Sequence, residues 1–107
     1  MKGDHIGEFE ELVLLATKGL GEEAYAPAIK ERLDGASARD VSIGAVYAAV
    51  DRLESKGLLV SREMPGTASR GGRRRRGFAV TRGGHAALRE IQAVRERLLR
   101  DAPARIR

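Results

Sequence analysis

Apolar residues recur at three- and four-residue spacing between Glu8 and Leu20, at Phe9, Leu12, Val13, Ala16 and Leu20, and predict a first amphipathic helix. Leu14 and Leu15 fall off that stripe, so the helix is apolar over more of its circumference than one small core requires. Two uses remain open for the surplus: deep burial in the monomer, or contact with another subunit. Gly19 and Gly21 end the helix. A short second helix is expected over Tyr25 to Leu33, with Ala26, Ile29 and Leu33 on one side and Pro27 tolerable only in its first turn. Gly35 and the small polar residues around Ser37 are expected to break it.

Ser42 then offers an N-cap for a third helix running to about Lys56, closed by Gly57. At 100° per residue, Ile43, Val46, Val50 and Leu53 share one sector, and Ala45, Ala48, Arg52, Ser55 and Lys56 lie opposite. The outward face is therefore small and basic. Tyr47 and Glu54 sit at the edge of the apolar sector, where a phenol packs its ring and keeps its hydroxyl in water.

After Gly57 the period changes. Leu58 to Glu63 reads as one short strand and Gly77 to Val80 as another, joined by a long tip carrying Pro65, Gly66, Gly71 and Gly72 with Arg70, Arg73, Arg74, Arg75 and Arg76. Thr81 caps a last helix extending to about Arg100, with Ala87, Leu88, Ile91, Val94, Leu98 and Leu99 in one stripe and Arg95 inside it. The tail from Asp101 reads as frayed. No repeat or long linker divides the chain. Residues 1–82 form the expected nucleic-acid-binding region and 83–107 a pairing helix and tail, within one compact domain.

This order, three helices and then a hairpin with a cationic tip, predicts a mostly helical α+β fold of the winged helix-turn-helix type. Charge supports that reading through its distribution. Residues 1–60 hold 7 basic against 11 acidic side chains (net −4), residues 61–82 hold 7 against 1 (net +6), and the remainder 6 against 3 (net +3). A positive field confined to one segment points to a localised anionic partner. Arginines on a glycine-rich loop can follow phosphates, giving affinity without sequence information. Base reading needs side chains on a rigid helix, which singles out Ser42, Ala45, Ala48 and Arg52, with Tyr47 at the margin.

Other chemistry finds little purchase. With no cysteine there is no disulfide, thiol nucleophile or cysteine-bound zinc. His5 and His85 are isolated, so neither a metal nor a cofactor is expected. No apolar run reaches membrane-spanning length, and the acidic opening at Asp4, Glu8, Glu10 and Glu11 is unlike a signal peptide, so a cytoplasmic location is expected. No nucleophile, base and orienting group converge, which argues against an enzyme. RNA binding would call for stacking aromatics beside the arginines, and Phe78 alone lies near the tip. The main competitor is a protein-interaction module that keeps this shape without binding DNA.

The stretch Asp40 to Leu59, DVSIGAVYAAVDRLESKGLL, resembles the PadR family of bacterial transcription regulators, as do Gly71 to Thr81, GGRRRRGFAVT, and the opening GEFEELVLLA at Gly7 to Ala16. Ser42, Gly44 and Tyr47, the turn at Leu53 to Leu58, and the wing ending in an aromatic and Thr81 occur together and in order. The resemblance implies a homodimeric winged-helix regulator of double-stranded DNA, usually a repressor, whose C-terminal helix packs on the partner's N-terminal region. It is of the short type, with a single C-terminal helix. That gives the surplus apolar positions a common use, and Phe9, Leu12, Leu14, Leu15, Leu88, Ile91, Val94, Arg95 and Leu98 become the expected dimer interface. Two departures stand out: Gly77 precedes Phe78 where the family pattern pairs aromatics, and there is no tryptophan, so the sequence supports no flat hydrophobic effector.

Overall fold

A computed structural model of the chain describes residues 6–64 and 75–103. Helix α1 spans Glu8–Leu20, and a single tight turn at Gly21–Glu23 leads to α2, Ala26–Ser37, and α3, Ile43–Ser55. Strands β1, Leu59–Met64, and β2, Arg75–Val80, form an antiparallel pair, and α4 runs over Arg82–Arg100. This is a winged helix-turn-helix with an added C-terminal helix.

Local chemistry sets most of the boundaries. Glu8, Glu10 and Glu11 in the first turn of α1 complement its dipole. Pro27 sits in the first turn of α2, where its missing N–H costs nothing. That helix does not break at Gly35, as its composition suggested, but continues to Ser37 and ends in a left-handed Ala38. One glycine in a helix costs only about 1 kcal/mol. The end of α2 is held instead by Asp34, which accepts from Lys30 and from the Val41 amide at 2.8 Å. Ser42 caps α3, its Oγ accepting from the Ala45 amide at 3.0 Å.

Pairing runs from Leu59 opposite Val80 to Met64 opposite Arg75. The strands therefore extend further toward the tip than expected, and Arg75 and Arg76 belong to β2 rather than to the loop. A third segment stabilises this end of the hairpin. Tyr25 bridges to Gly77, and the Phe78 amide donates to Ala24 O at 2.9 Å. A Cβ at position 77 would come within 2.6 Å of Met64 Sδ and 3.1 Å of Ala24 O, so the close approach requires glycine where the family pattern has an aromatic.

One core gathers all of these elements. Val13, Leu14, Ile29, Val46, Ala49, Val50, Leu53 and Phe78 are fully buried, and Leu88 of α4 joins them at 6% exposure. On α1 the buried set is Glu10, Glu11, Val13, Leu14, Ala16 and Thr17, so Val13 and Ala16 of the expected stripe are inside and Leu14 joins them, while Phe9, Leu12 and Leu20 pack at the margin of the core. The helix is enclosed by α2, α3, β2 and α4, so burial rather than sequence spacing alone chooses its inner face. Leu14 consequently has no surface to offer a partner, which corrects its expected place at an interface; Leu88 too is a core residue first.

The start of α4 is locked to the end of α3. Thr81 Oγ1 donates to Gly57 O at 2.7 Å and accepts from the Gly84 amide at 3.0 Å, and the Thr81 amide donates to Leu58 O. A Cβ on Gly84 would stand 2.3 Å from Leu58 O, so the helix can sit this close to the turn only with glycine there. Beyond Leu88 the helix runs largely exposed.

Candidate nucleic-acid interface

Helix α3 buries Val46, Ala49, Val50 and Leu53 against the rest of the chain. Ile43, expected in that sector, is 37% exposed, and Ala49 takes its place inside. The outer face consists of Ser42, Ile43, Gly44, Tyr47, Ala48 and Asp51, with Ala45 half-buried. It is a surface of small residues beside one phenol, 45% exposed. Such a face admits the close approach that a DNA groove demands.

Arg52 belongs to a different surface. Its Nε donates to Glu10 Oε2 at 2.6 Å, and Lys56 Nζ donates to Glu10 Oε1 at 2.9 Å. Burial by itself would raise the Glu10 pKa, but the hydrogen bonds and charges of Lys56 and Arg52 outweigh it and hold the carboxyl below its ordinary value. The side chain of Arg52 is 52% exposed, so part of its guanidinium is still presented to solvent, at a site fixed by α1.

The described part of the wing carries two of the five tip arginines. Arg75 lies over the Tyr25 ring, 4.6 Å from its centroid, and Arg76 lies over Phe78 at 4.8 Å. Arg76 also donates from Nε to Ser61 Oγ at 3.0 Å and from Nη2 to Glu54 Oε1 at 2.7 Å, with Asp51 at 3.6 Å. Glu54 in turn accepts from the Ser61 hydroxyl and amide, and these bonds, with the Arg76 charge, hold its pKa below the usual value against the effect of burial. Arg70, Arg73 and Arg74 lie outside the described residues.

The expected pairing surface divides similarly. Leu15 on α1 and Val94, Leu98 and Leu99 on α4 are exposed by 45%, 44%, 67% and 76%. Phe9, Leu12 and Ile91 are partly buried at the edge of the core. Arg95, an oddity in an apolar stripe, donates from Nη2 to Glu11 Oε1 at 2.7 Å. Sequence spacing missed Glu10, Glu11 and Glu54 as the partners of Arg52, Arg95 and Arg76. The signal was present for the first two: adjacent carboxylates inside an apolar helix have to meet cations somewhere.

Among the described residues no group of histidine or acidic side chains could hold a metal ion. Among the same residues no helix is long and apolar enough to cross a membrane.

Solved structures with this architecture are numerous. A PadR-like transcription factor from Bacteroides fragilis superposes with a TM-score of 0.72 at 26% identity, covering 86% of this chain and 84% of that one. A PadR family regulator from Clostridium difficile R20291 gives 0.68 at 27% identity over 88% and 92% of the two chains. A third, from Eggerthella lenta DSM 2243, gives 0.64 at 29% identity over 86% and 80%. No curated protein sequence matches the chain. The model of the transcriptional regulator PadR-like family matches residues 14–90, from the middle of α1 through α3 and the hairpin to the first half of α4. The chain therefore belongs to the PadR-like family of transcriptional regulators and is not an enzyme.

Proposed function

We propose that the protein is a sequence-specific repressor that binds double-stranded DNA as a homodimer in the cytoplasm. The observation that carries this reading is the outer face of α3: Ser42, Ala45, Tyr47 and Ala48 form a small, accessible surface beside a basic wing. The serine hydroxyl and the tyrosine contact base edges or phosphates, and the alanine methyls suit thymine methyls. Arg75 and the tip arginines Arg70, Arg73 and Arg74 supply the positive field along the flanking backbone, to which Arg52, half-exposed but paired with Glu10, adds less.

Pairing is supported by large apolar residues that stay exposed among the described residues. Leu15, Val94, Leu98 and Leu99 on α1 and α4 are the residues a second copy would bury, with Phe9, Leu12, Ile91 and Arg95 at the margin. A two-fold axis between reading helices specifies a pseudo-palindromic operator with half-sites roughly 34 Å apart. Repression is the sense to which the family resemblance points, since a dimer seated on its operator blocks the DNA it covers.

Selection of bound fragments from random duplex DNA, followed by titration at several salt concentrations, tests the reading. A pseudo-palindrome and a steep fall in affinity with salt are expected. A flat salt response would transfer the chain to the class of winged-helix protein-interaction modules. Leu98→Asp is expected to shift the protein toward monomer in sedimentation without loss of helical signal, and an unchanged dimer would remove α4 from the interface.

A further inference from the structure

The hairpin's junction with α3 holds a compact polar assembly that phosphate binding leaves unexplained. The Ser61 hydroxyl donates to Glu54 Oε2 at 2.6 Å and accepts from Arg76 Nε at 3.0 Å. Arg76 Nη2 reaches the other Glu54 oxygen at 2.7 Å, and the guanidinium lies on the Phe78 ring. Ser61 pairs directly across the sheet with Phe78, and Arg76 lies two residues before Phe78 on the same face. Helix, first strand and second strand are thus tied at one point, with each partner of Arg76 fixed in turn by another.

A cation serving phosphates needs its charge and its donors available; in Arg76 both Nε and Nη2 already donate, to a hydroxyl and to a carboxylate. Glu54 makes the same point by its sign. A carboxylate beside a DNA-binding surface repels phosphates, so its presence needs a compensating use.

We propose that Glu54, Ser61 and Arg76 are positioning residues for DNA binding, bracing the wing at a set angle to α3, and that Arg76 is not one of the phosphate contacts. The inference rests on the DNA-binding reading above. By fixing β1 and β2 against α3, the brace sets where the described strands of the wing, with Arg75, stand while α3 occupies the groove. The orientation is thereby set before binding, and affinity is not spent on ordering the hairpin.

The test uses Glu54→Gln, Ser61→Ala, Arg76→Lys and Arg76→Gln in the full chain, titrated against a duplex selected by the parent protein, over a range of salt and well below each variant's melting temperature. Arg76→Lys keeps the charge but loses the two-point hold, and Glu54→Gln removes a negative charge. Each single variant is expected to bind about fivefold or more weakly, with the salt slope unchanged. The Glu54→Gln/Arg76→Lys double variant should bind no worse than the weaker single one, because one unit is being broken. Parent-like binding by Arg76→Lys, or a salt slope reduced by about one contact's share of 0.9 in Arg76→Gln, would overturn the brace and return Arg76 to the phosphate contacts. Tighter binding by Glu54→Gln would show a carboxylate that only repels DNA, and would also overturn it. If Glu54→Gln fails to fold, Arg76→Lys and Ser61→Ala decide alone. A parent chain that binds no duplex ends the DNA-binding reading and this inference together; parent binding with unaffected variants ends only the inference.

Discussion

Arg95 Nη2 stands 2.7 Å from Glu11 Oε1, joining the distal half of α4 to the first turns of α1 across 84 positions of sequence. The neighbouring carboxylate, Glu10, holds Arg52 and Lys56 of α3. Two adjacent acids on one central helix therefore anchor both α3 and α4. Glu11 is 9% exposed, so its charge is tolerated because Arg95 answers it.

Arg95→Gln should accordingly loosen α4 from α1. Hydrogen exchange of α4 amides beyond Leu88 is expected to rise, with weaker self-association and an intact wing. Unchanged α4 protection would mean that apolar packing alone holds the helix.

The depressed pKa of Glu10 gives an acid dependence with a definite sign. The folded state favours the ionised carboxyl, whose ordinary value is 4.5, so its contribution is complete above about that pH and is lost as pH falls through the lower folded value. Glu10→Gln should cost about 1–2 kcal/mol at neutral pH and shrink the difference between neutral and acid melting temperatures. A variant that keeps the parent's full acid sensitivity would remove Glu10 from that role.

Two adjacent glycines in the first turn of α4 should respond oppositely to alanine. A Cβ on Gly84 meets Leu58 O at 2.3 Å and Val80 Cγ1 at 2.7 Å, so Gly84→Ala should destabilise by about 1–3 kcal/mol. At Gly83 the nearest atom is an ordinary 3.5 Å away, and Gly83→Ala should be neutral or stabilise by up to about 1 kcal/mol. Thermal melts of the pair settle the sign.

Ala48 is exposed on α3 and holds nothing in the core. Ala48→Phe should leave stability within about 0.5 kcal/mol and abolish preference for the selected duplex over random sequence. Retained preference would take this face of α3 out of the groove.

Much of the architecture was legible because local rules coincide with the fold. The limits of α1 and α4, the Ser42 and Thr81 caps and the position of Pro27 all depend on residues within a turn of one another. Where distant groups compete, local reading went astray. Ile43 and Ala49 exchange places between surface and core because α3 is seated by its neighbours, and helical periodicity cannot supply that rotation. The run of glycines and proline before Arg75 and Arg76 signals a loop, whereas pairing with β1 and the Tyr25 bridge carries β2 through them.

Composition and spacing alone set the order of helices and hairpin, the small outward residues of α3, the concentration of positive charge between residues 61 and 82 and the apolar excess of α1 and α4. These are properties readable wherever one segment is considered alone. Which cations are already engaged depends instead on how the elements pack. Arg52, Arg76 and Arg95 have the same chemistry in the sequence as any other arginine, yet each meets an acid from another element at 2.6 to 2.7 Å. The reason is that a charge's partner is chosen by folding, which brings Glu10, Glu54 and Glu11 to those sites from as far as 84 residues away. What a basic side chain is available to bind is settled there.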